Sequence, residues 1–148
     1  MAFIGNLLWL LFGGGLVLGL SWLLVGCIWC LTIVGIPIGI ACFRIAGFAF
    51  LPFGKDLVPA EYVGEKRIAG TGLMNFLWCV CSGLWLAIAH VLTGLADCLT
   101  IIGIPFGLAN FKIAIAAFAP LGKRAVSVDV AEAARSRAAR ASLDEKMG

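Results

Sequence analysis

Residues 30–58 and 98–126 align without a gap at an offset of 68, and 18 of the 29 positions are identical. The chain is an internal duplication, so whatever one copy folds into the other must fold into as well. Each copy carries a Thr-Ile-x-Gly-Ile-Pro-x-Gly string (32–39 and 100–107), then Ala-x-Phe-Arg/Lys-Ile-Ala (41–46 and 109–114), then Pro-x-Gly-Lys (52–55 and 120–123). Further upstream the copies align after a one-residue gap near Gly13-Gly14-Gly15, with Asn6 and Trp9 matching Asn75 and Trp78.

The surroundings of both copies say which solvent they fold in. No charged side chain occurs from Ala2 to Phe43, and 62% of the chain is hydrophobic. A single helix over that run would be about 60 Å long, twice the roughly 30 Å hydrocarbon core of a bilayer, so it must break. The breaks are legible. Pro37 and Pro105 each remove a helical hydrogen bond and clash with the preceding turn, so a helix stops or kinks just before them. Apolar segments 3–34 and 38–53 in the first copy, and 74–102 and 106–121 in the second, lie on either side of the two Gly-Ile-Pro turns.

The expected fold is an all-α membrane protein of two tandem repeats, each a helical hairpin broken at Gly-Ile-Pro, followed by a polar C-terminal helix. Membrane repeat one takes residues 1–58, a cytoplasmic linker 59–72, membrane repeat two 73–126, and a cytoplasmic Ala/Arg-rich tail 127–148. The polar stretch around the linker opens at Gly54 and contains Lys55, Asp56, Glu61, Glu65, Lys66 and Arg67. Asp129, with Glu132 three residues on, predicts the start of the tail helix over 130–146. Linker and tail hold nearly all the Lys and Arg, which places both on the cytoplasmic face and gives each repeat an even number of crossings. Four membrane segments follow, with Met1 and Gly148 both cytoplasmic and the turns toward the other side. Segments of about 16 residues are short for a full crossing, so 38–53 and 106–121 either span, are re-entrant or lie at the interface.

The string IIGIPFGLANFKIAIAAFAPLGKRAVSV (101–128), with His90, Thr93 and Gly94 upstream and a weaker copy earlier, resembles the YccF inner-membrane component family of bacteria. The resemblance covers nearly the whole chain and implies a small multi-pass protein of the bacterial inner membrane. It implies no catalytic or ligand residues.

Chemistry must therefore be sought among the polar residues inside the apolar segments. Arg44 and Lys112 occupy one repeat position near the middle of the post-turn segments, and His90, Asp97 and Asn110 complete the polar set. Ionisable groups in such segments mark ion or proton paths, against the plainer reading that Lys and Arg reach out to headgroups and His90 satisfies a neighbour. If the second turn centres between Ile104 and Pro105, Asp97 and Lys112 lie at one depth and can pair. Trp29 stands where Asp97 would be in repeat one and offers Arg44 a cation-π partner. The breaks Gly35, Pro37, Gly39 and Gly103, Pro105, Gly107 are either tight hairpin turns or transporter-like sites with exposed backbone groups. Asn6 and Asn75 are expected to anchor their helix starts.

Cys27, Cys30, Cys42, Cys79, Cys81 and Cys98 all fall in apolar sequence and behave as small hydrophobes. The Cys27-Ile-Trp-Cys30 spacing lacks a second pair or a histidine to make a metal or redox site, so no metal and no cofactor are expected. No hydrolase, P-loop or dinucleotide fingerprint occurs, which argues against an enzyme. A net charge of +3, spread beside the apolar runs, argues against nucleic acid as a partner. The partners expected are the lipid bilayer, a small ion, and further copies of the chain, since four short segments are too few to enclose a polar path alone. Two functions remain open: an oligomeric ion channel or transporter-like component, and a structural or regulatory component that binds lipid or another membrane protein.

Overall fold

The computed structural model describes residues 2–66 and 69–147. The chain ends Met1 and Gly148, whose side of the membrane the charge pattern predicts, and the linker cation Arg67 lie outside the described residues. Among the described residues seven α-helices carry the fold: α1 (Ala2–Phe12), α2 (Gly15–Cys30), α3 (Ile36–Phe50), α4 (Thr71–Trp78), α5 (Leu84–Asp97), α6 (Ile104–Phe118) and α7 (Val128–Met147).

In each repeat two helices pack along one another through the Gly-Ile-Pro turn, α2 on α3 and α5 on α6. The motif explains how. After α2 ends, the Thr32 hydroxyl donates to Trp29 O (2.9 Å) and accepts from the Gly35 N–H (3.1 Å). Thr100 does the same between Asp97 O (3.3 Å) and the Gly103 N–H (3.0 Å). Pro37 and Pro105 then sit in the first turn of α3 and α6, where a missing N–H costs nothing. Gly39 and Gly107 let the helices touch. A Cβ on Gly39 would strike Cys30 Sγ and lie 2.7 Å from Gly26 O, and one on Gly107 would strike Cys98 Sγ and lie 2.7 Å from Gly94 O. Lipid gives helices little hydrophobic reason to associate, so close backbone approach and buried hydrogen bonds must hold them.

The upstream helices supply those bonds. Trp9 Nε1 donates to Ala49 O (2.7 Å) and Trp78 Nε1 to Ala117 O (2.6 Å), filling carbonyls that the last turns of α3 and α6 leave open. Asn6 holds the Phe53 backbone at both its N–H (2.9 Å) and C=O (3.1 Å). Asn75 holds Leu121 likewise, at 3.0 and 3.2 Å. Both asparagines thus tie the start of one helix to the chain beyond the end of another. The repeats reach this arrangement differently. Between Trp9 and Gly15 the helix breaks at Gly14, which has φ 73°, and α1 turns 77° away from α2. Between Trp78 and Gly83, one residue shorter, the helix runs on through a single π-helical stretch, Cys79–Gly83.

Two short strands correct the all-α expectation. β1 (Lys55–Pro59) pairs antiparallel with β2 (Lys123–Ser127), in a register that sets Leu57 opposite Ala125. Those two residues are 68 apart, so each repeat pairs with its own equivalent and a local two-fold axis passes between them. Each strand holds a single Val and shows no clean alternation, and its partner lies 68 positions away, which is why no local pattern announces it. The strand pair also crosses the expected boundaries at 58/59 and 126/127. α7 packs on β1, with its Ala131 and Ala134 buried, and starts at Val128, two residues before the sequence expectation.

The interior is built from Trp9, Trp22, Trp78, Phe48, Ile45 and Ile113 with alanines between them. The outside is apolar as well, with Leu24 and Ile28 on α2 and Leu92 and Leu95 on α5 exposed. Among the described residues two helical stretches, Ile33–Phe50 and Thr71–Asp97, are long and apolar enough to cross a membrane, and the bent pair α1 and α2 makes a third if taken as one span.

Candidate functional site

The local two-fold brings Trp22 of α2 against its own repeat equivalent on α5, His90. Trp22 Nε1 donates to His90 Nε2 (3.0 Å). An indole N–H can only donate, so Nε2 is the acceptor, the proton sits on Nδ1, and the ring is neutral. That proton points at Asn110 Oδ1 of α6, 2.8 Å away. Asn110 Nδ2 in turn donates to Asp97 Oδ2 (2.9 Å) and toward Gly13 O (3.4 Å), a carbonyl at the helix break between α1 and α2. The chain of donors therefore runs one way: indole to imidazole, imidazole to amide, amide to carboxylate and backbone. His90 and Asn110 have no exposed surface, and among the described residues every buried side-chain nitrogen and oxygen has a partner.

The sequence singled out five polar residues, and the fold joins three of them. His90, Asn110 and Asp97 form the network. The expected Asp97–Lys112 pair does not form. Lys112 lies two residues beyond Asn110, roughly 200° around the same helix, so when Asn110 faces Asp97, Lys112 faces away. Its Nζ instead meets Asp56 Oδ1 of β1 at 3.2 Å. Arg44 likewise does not rest on Trp29, whose indole donates to Ser82 Oγ (3.1 Å) and packs against Trp78. The glycines and prolines at 35, 37, 39, 103, 105 and 107 shape the two turns, in which Thr32 takes Trp29 O and the Gly35 N–H and Thr100 takes Asp97 O and the Gly103 N–H.

Arg44 opens instead into a groove of about 340 Å³ at the linker end of the molecule. Pro37, Ala41 and Arg44 of α3 form one wall and Thr71 and Asn75 of α4 another; Glu61, Glu65, Lys66 and Lys123 come from the polar segments. Glu65 is paired with Arg124. Burial pushes the Lys123 ammonium below its ordinary range, and its Nζ leans toward Ile115 O at 3.5 Å. Asp56, on the strand between groove and tail, also takes Arg135 of α7 at 2.9 Å. Burial alone would raise its carboxyl, but the Arg135 hydrogen bond, the Leu57 N–H and Lys112 together hold it below the usual carboxylate range.

Sequence reasoning missed Trp22, Asp56, Arg135 and the Gly13 carbonyl. A signal existed for the first, since the offset of 68 maps Trp22 directly onto His90. None existed for the others, whose partners lie 56, 79 and 97 positions away. All six cysteines are free thiols, and no cluster of three or more metal-ligating side chains occurs among the described residues.

Comparison with known proteins bears on the same duplication. The inner membrane component domain family YccF matches this chain at residues 4–55 and again at 73–123, one match on each repeat. The inner membrane protein YccF of Escherichia coli (strain K12) is 38% identical over 132 residues, covering 86% of this chain and 89% of that one. The protein of the same name from Shigella flexneri is similar to the same extent. No solved structure matches the chain. With both halves matched in register with the repeats that build the fold, the chain belongs to the YccF family of inner membrane components.

Proposed function

We propose that this protein is a structural or regulatory component of the inner membrane that binds lipid, with no ion or proton path through the subunit. The closed polar network is the observation that carries this reading. A relay needs groups that accept a proton on one side and release it on the other. Here the imidazole is bracketed by an indole and an amide, neither of which titrates in that way, and Asn110 separates His90 from the carboxylate. Lys112 and Arg44 point away from this network toward the polar end of the molecule.

In this reading linker, strands and tail lie on the cytoplasmic face and each repeat enters and returns there as a hairpin, as the Lys and Arg distribution favours. The groove beside Arg44 then sits at headgroup level. Arg44, Lys66 and Lys123 outnumber Glu61 and Glu65 on its walls, and Glu65 is already paired, so an anionic phospholipid headgroup suits it. Transport remains the competing reading, and it requires several copies to enclose a path.

Purified protein reconstituted in liposomes separates the two. Proton and potassium flux should match protein-free vesicles, and Arg44→Glu with Lys123→Glu should reduce the anionic lipid retained through purification several-fold. Selective flux that disappears on Asp97→Leu or Lys112→Met would overturn the proposal.

A further inference from the structure

We propose that the groove beside Arg44 holds one lipid phosphate per chain, standing where the other repeat has a carboxylate of its own, Asp56. This rests on the lipid-binding reading above and adds which chemical group is held, by which residues, and why one repeat holds it and the other does not.

The local two-fold matches unlike charges on one side of the strand pair and like charges on the other. Arg44 and Lys112 are repeat equivalents, and so are Asp56 and Arg124, each pair 68 residues apart. Lys112 of α6 meets Asp56 Oδ1 of β1 at 3.2 Å. The axis between β1 and β2 carries that ion pair onto Arg44 and Arg124, two cations. One repeat therefore closes its charge internally. The other turns two guanidinium groups toward one place, where an anion from outside relieves their repulsion.

Glu65 answers part of that need, since it lines the groove and is paired with Arg124. Arg44 is left over: it is exposed on the groove wall and makes no ion pair or hydrogen bond among the described residues. Lys123 adds a second uncompensated cation. It opens β2, is half-buried, and its Nζ has one long contact, to Ile115 O at 3.5 Å, whereas its repeat equivalent Lys55 is exposed to water. A phosphate offers several acceptor oxygens, enough for the forked guanidinium of Arg44 and the ammonium of Lys123 together.

The rest of the wall suits a lipid ester better than a free ion. Ala41, Ala119 and Leu121 stand beside the cations, and they offer nothing to inorganic phosphate but can cover the apolar edge of a glycerol ester. The groove holds about 340 Å³, near the lower end of the roughly 300–1,000 Å³ of small-molecule sites, which is room for a headgroup and not for acyl chains. Thr71 on the opposite wall opens the 27-residue apolar stretch Thr71–Asp97, long enough to cross the bilayer. The groove thus lies where a crossing helix leaves the headgroups, at the level of the lipid phosphates.

Titration of the full-length protein in detergent with phosphatidylglycerol, read by native mass spectrometry, counts and ranks the bound lipid. One lipid should bind per chain, in preference to phosphatidylcholine, and Arg44→Gln or Lys123→Gln should each weaken it about five-fold. Two changes beside the site are more telling. Arg124→Asp gives this repeat the carboxylate that Asp56 gives the other and should weaken binding about ten-fold, while Glu65→Gln removes a competing carboxylate and should tighten it about two-fold, a gain that misfolding cannot produce. Lys112→Gln, and Arg140→Asp in the tail as the same charge change away from the groove, should leave binding unaltered. Loss with Arg44→Gln and Lys123→Gln but no response to Arg124→Asp or Glu65→Gln would overturn the proposal and leave the lipid-binding reading standing. Two lipids per chain, one lost with Lys112→Gln, would overturn it as well, because both repeats would then hold one. Inorganic phosphate and glycerol 3-phosphate should fail to displace the lipid; displacement at equal concentration would assign the groove to a soluble phosphate ester and overturn the lipid assignment. Wild-type protein that binds no anionic lipid at all would end both this proposal and the reading it rests on.

Discussion

The two repeats agree wherever backbone meets backbone and differ wherever polar side chains meet. Thr32 and Thr100, Gly39 and Gly107, Trp9 and Trp78, and Asn6 and Asn75 make the same contacts in both copies. At the centre the copies part. Trp22 is replaced by His90, Trp29 by Asp97, Cys42 by Asn110, and Asp56 by Arg124. Three of these differences put a hydrogen-bonding or charged group where the two copies touch: His90 takes Trp22, Asn110 reaches the Gly13 carbonyl, and Asp56 takes Lys112 from the other repeat. Duplication supplies a hairpin that closes itself, and divergence supplies what joins two hairpins into one body.

That comparison breaks most readily at its shared glycines. Gly39→Ala and Gly107→Ala should each destabilise the folded protein by about 1–3 kcal/mol, because the new methyl meets backbone that cannot yield. The two losses should match within experimental error when unfolding in detergent is followed by circular dichroism. Replacing Cys30 by Ala beside Gly39→Ala should recover only part, since the Gly26 carbonyl remains. A large loss in one repeat with none in the other would end the claim of shared scaffolding.

A smaller but asymmetric effect is expected at the divergent pair. Asn110→Leu leaves His90, Asp97 and the Gly13 carbonyl without their common partner, at about 1–3 kcal/mol. The equivalent change Cys42→Ala removes only a buried thiol and should cost less. If the order is reversed in parallel unfolding curves, the network does not join the repeats.

The smallest effect lies at the strand. Asp56→Asn removes a pair with Lys112 and one with Arg135, both of whose cations are about half exposed, so no more than about 1 kcal/mol is at stake. Because the Asp56 carboxyl titrates below its unfolded value, its contribution is present above about pH 4 and fades as pH falls through its lowered folded value. Proteolysis of α7 should therefore accelerate only at strongly acid pH, and Asp56→Asn should abolish that dependence. In double-mutant cycles Lys112 should couple to Asp56 and be additive with Asp97 to within about 0.5 kcal/mol. Coupling of Lys112 to Asp97 would restore the pairing that the fold separates.

What the sequence determined by itself is local and repeated. The apolar runs, the breaks before Pro37 and Pro105, the shared position of Arg44 and Lys112 and the polar set around His90 all follow from charge, glycine and proline, whose effects act within a few residues. The family followed from the same strings. What only the tertiary structure decided is which side chains meet. Helical phase sends Lys112 to Asp56 when Asn110 turns to Asp97, and strands 68 residues apart find one another around an axis that no local pattern encodes. Pairings of that kind depend on the relative rotation and closeness of whole helices. Sequence spacing constrains those only after the glycine contacts and the tryptophan hydrogen bonds have set the distance between them.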